Sequence, residues 1–126
     1  MKLAYFAFLV PEYDEGIAFF SKALGFELLE DTDMGGGKRW VRVASPSGES
    51  VLLARATGAQ RDAIGQQGGG RVWLFLHSDD FAADHARLTE HGATFEESPR
   101  HEPYGTVAVF RDPWGNRWDL IQPAGQ

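Results

Sequence analysis

Apolar residues fall along this chain in short blocks whose spacing switches between two periods. Leu3–Val10 is an unbroken apolar run of strand length. Tyr13, Ile17, Phe20 and Leu24 then recur at i, i+4, i+7 and i+11, which predicts a helix over residues 14–24 that stops at Gly25. Residues 27–31 read as a strand, 33–37 as a glycine turn, and 38–44 and 50–55 as two more strands around a turn at 45–49. One β-α-β-β-β module results. Residues 57–70 are polar, rich in Gly and Gln and without apolar period, so they read as a linker with a short helical turn near 61–64. The pattern then restarts. It predicts a strand at 71–77, a helix at 82–91, a strand at 94–97, a loop at 98–105, a strand at 106–111, a turn at 112–116 and a strand at 117–122.

The restart is a repeat. Tyr13, Ile17 and Phe20 answer Phe81, His85 and Leu88, Gly25 answers Gly92, and Ala44–Gly48 answers Arg111–Gly115, at offsets of 67 or 68 positions. A period this long points to two half-domain modules rather than a solenoid. The expectation is a single domain spanning 1–126, with module one at 1–56, a linker at 57–70 and module two at 71–123.

Composition narrows the chemistry. At 126 residues the chain can bury a core without staples. Having no Cys excludes disulfides, thiolate metal sites and cysteine nucleophiles. The net charge of −6, with no basic stripe, argues against nucleic acid as a partner. The chain shows no apolar stretch of about 18 residues and no cleavable leader pattern, so no membrane partner is expected and cytoplasmic residence is the expectation. Nine Phe, four Trp and three Tyr are more than a core of this size needs, and some could line a pocket.

Two β-α-β-β-β modules with Asp112-Pro113-Trp114-Gly115-Asn116 before the last strand resemble the vicinal oxygen chelate superfamily. This is the family of glyoxalase I, the bleomycin- and fosfomycin-resistance proteins and the extradiol dioxygenases. Val10-Pro11-Glu12-Tyr13-Asp14-Glu15, then Ala18-Phe19-Phe20 and Leu24-Gly25-Phe26, look like its first strand and helix. The resemblance implies an α+β fold in which the two βαβββ modules form a curved eight-stranded half-barrel sheet. In metal-dependent members each module supplies two ligands, one on its first strand and one on its last. Carried over, those positions hold Tyr5, Leu52, Trp73 and Asp119. Leu52 has no donor, the Trp73 indole nitrogen carries a proton, and a neutral Tyr5 is a poor ligand. Shifting the register by one or two residues brings no His or carboxylate into 3–10 and no carboxylate into 51–54. No metal ligands are therefore assigned and no cofactor is expected, with a divalent metal at an unconventional site as the alternative.

Strand parity extends the site. Phe75 and His77 share the face of Trp73, and Ile121 that of Asp119. The resemblance favours Trp40 and Arg42 pointing inward, with Val41 and Val43 under the helix and Val107 and Val109 in the matching places of module two. The candidate ligand-binding residues are Tyr5, Trp40, Arg42, Trp73, Phe75 and Tyr104, the last in a loop that could close over the pocket mouth. The candidate catalytic residues are Asp119 and His77. Such a pocket is mostly aromatic with few polar groups, as small-molecule sites are. Aromatic rings would sandwich the ligand, Arg42 would anchor an anionic group, and Asp119 or His77 would exchange a hydrogen bond or proton. The bland alternatives are an Arg42–Asp119 ion pair, a His77 that caps its turn with Asp79, and tryptophans that fill the cavity. His85 reads as a packed helix residue, Asp79-Asp80 as a helix start, and the Asp112–Asn116 turn as structural.

The resulting reading is a metal-free glyoxalase/bleomycin-resistance-like protein. It would bind a small, partly aromatic or cationic molecule in an aromatic cleft. The resemblance implies a homodimer. The alternatives are an enzyme of lyase, isomerase or dioxygenase type, using Asp119, His77 or an unconventional metal site, and a filled domain that acts through partner contacts.

Overall fold

The computed structural model describes residues 1–125. They form two compact units, Met1–Ile64 and a second that begins at Gly65. In the first, β1 (Phe6–Val10), β2 (Glu27–Gly35), β3 (Lys38–Ala44) and β4 (Ser50–Arg55) make one sheet in the order β1-β4-β3-β2. β1 runs parallel to β4 and the other pairs are antiparallel. Alternation sends Phe8, Val10, Val41, Val43, Val51 and Leu53 to one face, where all are buried. Each such side chain contributes about 1.5–3 kcal/mol of burial.

The helix α1 (Tyr13–Ala18) lies over that face and runs on as a π-turn, Phe19–Ala23. Its buried stripe is Tyr13, Gly16, Phe19, Phe20 and Ala23, so Ile17 and Leu24 are only half-buried. Gly16 accounts for the shift. A Cβ there would stand 3.0 Å from Val10 Cγ1 and 3.2 Å from Leu53 Cδ1, so glycine lets the helix sit this close to the sheet without displacing either side chain. The π-turn then rotates both Phe19 and Phe20 inward, and the Phe20 ring meets Phe8 at 5.0 Å and Phe26 at 5.6 Å.

The second unit repeats the connectivity. β5 (Val72–His77), β6 (Thr94–Phe95), β8 (Gly105–Arg111) and β9 (Arg117–Pro123) are ordered β5-β9-β8-β6, with β5 parallel to β9. β7 (Arg100–Glu102) also pairs with β8. The registers confirm the repeat: Ala7 pairs with Leu52 and Leu52 with Arg42, while Phe75 pairs with Asp119 and Asp119 with Val109. These are the same offsets of 67 and 68 positions. The helix α2 (Phe81–Glu90) starts at Asp80, whose side chain accepts from the Ala83 N–H. His85 stacks on Phe95 at 3.8 Å, a packed helix residue as expected.

The fold is thus α+β, with two βαβββ modules. It has nine described strands in sheets of four and five rather than eight, because residues expected as a loop form β7. Between β6 and β7 the Glu97 carboxylate takes the Val109 N–H at 2.9 Å, substituting for a strand acceptor. β2 extends to Gly35, shortening the glycine turn to its tip. The linker carries a 3₁₀ helix at Gly58–Ala63, capped by Thr57. No helix among the described residues is long and apolar enough to cross a membrane.

Candidate functional site

The faces of the two sheets turned away from their helices carry the candidate residues. In the first unit the structure brings Tyr5, Trp40 and Arg42 together. The Tyr5 and Trp40 rings meet edge-to-face at 6.5 Å, and the Arg42 guanidinium lies 5.1 Å from the centre of the Tyr5 ring. Arg42 Nε also donates to Glu30 Oε1 at 3.0 Å. Glu30 comes from β2, which pairs with β3 at that position. This pair changes the expectation for Arg42: its charge is already balanced by a neighbouring strand, so it is not a free anchor for an anion. The role of partner assigned to Asp119 belongs to Glu30. Sequence alone passed over Glu30 because a bulge between Leu28 and Glu30 breaks the simple alternation of β2.

In the second unit, Phe75, Asp119 and Val109 lie abreast on neighbouring strands, and His77, Ile121 and Val107 abreast beside them. Phe75 is 61% exposed. Asp119 is half-buried, and its Oδ1 is buried without a hydrogen-bond partner. Burial pushes its carboxyl above the usual range, opposed by Arg100, reinforced by Glu97 and opposed again by Arg117. Those guanidiniums are engaged elsewhere. Arg100 holds Glu97 at 2.8 Å and Glu102 at 2.9 Å, and Arg117 holds Glu96 at 2.9 Å.

The remaining candidates are dispersed along the second unit. Trp73 sits at a register shift in β5, against Gly68, where a Cβ would come within 2.5 Å of the Trp73 Cβ. His77 is exposed. It does not cap the turn that follows, which Ser78 holds instead. Ser78 donates its N–H to Ile121 O, its Oγ accepts from Asp80 N, and its hydroxyl donates to Asp84 at 2.6 Å. Tyr104 lies exposed in the turn between β7 and β8, on the side chain of Arg100. A hollow of about 440 Å³ at the tip of β2 and β3 was not foreseen; Asp31, Asp33, Gly35–Gly37 and Arg39 line it. Its one cation is already paired, Arg39 lying on Asp31 at 2.7 Å and on Asp14, outside the hollow, at 2.9 Å.

The four positions that correspond to metal ligands hold one ordinary donor, Asp119, and the set does not fit a divalent ion. Among the described residues, no three His, Asp or Glu side chains gather as a metal-holding group.

Residues 2–120 match the profile of the Glyoxalase/Bleomycin resistance protein/Dioxygenase superfamily, and the chain belongs to that family. An uncharacterised protein of Shewanella frigidimarina (strain NCIMB 400) is 48% identical over 95% of this chain and 92% of its own. The crystal structure of UcmS2 matches at 30% identity and a TM-score of 0.77, over 96% of this chain and 97% of that one. TnmS3, an antibiotic binding protein from Streptomyces sp. CB03234, matches at 35% identity and a TM-score of 0.65, over 94% and 93%.

Proposed function

We propose that this chain is a metal-free small-molecule binding protein that holds a partly aromatic or cationic ligand on the open faces of its sheets. The observation that carries the reading is the Tyr5–Trp40–Arg42 cluster. Two rings and a guanidinium are preassembled on the sheet face turned away from the helix, in a protein where three of the four metal-ligand positions hold Tyr, Leu and Trp. Aromatic side chains give a planar molecule a large contact area at small cost in conformational entropy. The likeness to an antibiotic binding protein supports sequestration as the use of such a site. Assembly as a homodimer goes with this reading, supported by the exposed Leu28, Leu29 and Met34 of β2, as does residence in the cytoplasm.

The test is a titration of tryptophan fluorescence with bleomycin, anthraquinone-2-sulfonate and proflavine, with melting temperature recorded alongside. A ligand of the folded state raises the melting point. Zinc, nickel, manganese and iron(II) are run in parallel. Saturable binding of an aromatic compound supports the proposal. Stoichiometric metal with a raised melting point and no aromatic binding overturns it.

A second reading, an enzyme with Asp119 as proton acceptor, draws on the raised carboxyl pKa of Asp119. It predicts that Asp119→Asn abolishes turnover yet leaves a neutral ligand bound.

A further inference from the structure

We infer that the Phe75–Asp119 face of the second sheet is a subsite for a hydrogen-bond donor carried on an aromatic ring, such as an aryl ammonium or a phenol, and that it discriminates against aryl anions. The inference deepens the binding reading and rests on it.

A carboxylate oxygen removed from water without a donor loses hydration that nothing on the protein returns. Asp119 Oδ1 is such an oxygen. The donors that could have answered it are committed. Arg100 is divided between Glu97 and Glu102. Arg117 grips Glu96 with Nε and Nη2 and gives Nη1 to Gly70 O. The Val109 N–H, on the strand beside Asp119, is taken by Glu97. Each of these groups is thus held by a partner other than Asp119.

Phe75 supplies the other half. It is paired with Asp119 across β5 and β9, so the two side chains rise from neighbouring positions on the same face. A large, 61% exposed ring beside an unanswered acceptor is an amphipathic pair. It suits a ligand whose ring lies on Phe75 and whose N–H or O–H points at Asp119. The net charge of −6 favours the same sign of ligand.

The experiment compares four naphthalenes that share a ring and differ in one group: 1-naphthylmethylamine, 1-naphthol, 1-methoxynaphthalene and naphthalene-1-sulfonate. Affinities are measured by calorimetry or fluorescence on the intact chain. Expected is tighter binding of the amine and the naphthol than of the methoxy compound, by roughly tenfold, as one charge-assisted hydrogen bond provides, with the sulfonate weakest. Asp119→Asn should remove most of the preference for the amine while leaving the methoxy compound unchanged. Phe75→Ala should weaken all four together. Equal affinity for the amine, the methoxy compound and the sulfonate in the wild-type chain overturns this inference while the binding reading stands. Failure of all four, together with bleomycin, anthraquinone-2-sulfonate and proflavine, overturns the binding reading and this inference with it. The wild-type series decides the matter even if a variant fails to fold.

Discussion

Asp112 Oδ2 receives the indole N–H of Trp118 at 3.0 Å, while its Oδ1 accepts the backbone N–H groups of Trp114, Gly115 and Asn116. The Asn116 amide adds a bond to Oδ2, and Asp112, Asn116 and Trp118 are all buried. One carboxylate thus shapes the turn between β8 and β9 and fixes the first buried ring of β9, the strand that carries Asp119. Asp112→Ala should destabilise the chain by about 3 kcal/mol or more, because several buried donors lose a charged acceptor together. Urea denaturation of the variant checks this; a loss below about 1 kcal/mol would contradict it.

Gly65 belongs to a stretch that reads as a tolerant linker, yet its φ is +75° and a Cβ would stand 1.9 Å from the Trp114 carbonyl oxygen. Gly65→Ala should cost about 2 kcal/mol or more through left-handed strain and the clash with backbone. Gly69→Ala, at a φ of +66° with nothing near its Cβ, should cost only about 1 kcal/mol. The two melting temperatures, compared side by side, separate the clash from the strain they share.

Asp119 gives a pH signature of unusual sign for a carboxylate. Its folded-state pKa is raised, chiefly by burial, so the folded chain holds this proton more tightly than the unfolded chain does. Its contribution favours folding at low pH and is lost as pH rises through the folded pKa. Asp119→Asn should therefore match or exceed the wild type in melting temperature near pH 7, and that difference should shrink as pH falls towards about 4. A large loss of stability at neutral pH would show the carboxylate to be a structural partner instead.

The opposite sign holds for Asp31, Glu96 and Glu97. Hydrogen bonds from Arg39, Arg117 and Arg100, respectively, hold their carboxyls below the usual range. Their contribution is present above the unfolded pKa and lost as pH falls through the lowered one. The wild-type chain should lose melting temperature on acidification below about pH 4, and Glu97→Gln should flatten part of that slope. Circular dichroism melts at a series of pH values measure it.

Arg42 is partly exposed and paired with Glu30, so Arg42→Ala should cost no more than about 1 kcal/mol of stability. It also removes the cation from the Tyr5 ring, and planar ligands should bind roughly fivefold more weakly. Arg42→Lys should restore stability better than affinity, since an ammonium cannot reproduce the flat guanidinium. Denaturant midpoints and fluorescence titrations on the same samples distinguish the two effects.

The sequence by itself determined the class of fold, the repeat and the turn chemistry. Hydrophobic period and turn residues are local signals, and both modules obey them: Val41 and Val43 under the helix, Gly25 at a left-handed φ after it, Asp112 in its turn. The parity of Ile121 with Asp119 was likewise legible, because an unbulged strand alternates. What tertiary structure decided was partnership. Arg42 met Glu30 across a bulged strand, Ser78 replaced His77 at its turn, and Gly16 redirected the buried stripe of its helix by close approach to Val10 and Leu53. Residues 100–102, expected as loop, became a strand because β8 had an edge left to pair. The orphaned oxygen of Asp119 is of the same kind. It results in part from where the donors of Arg117 and Val109 went, and hydrogen bonds between residues far apart in the chain leave no period in the sequence.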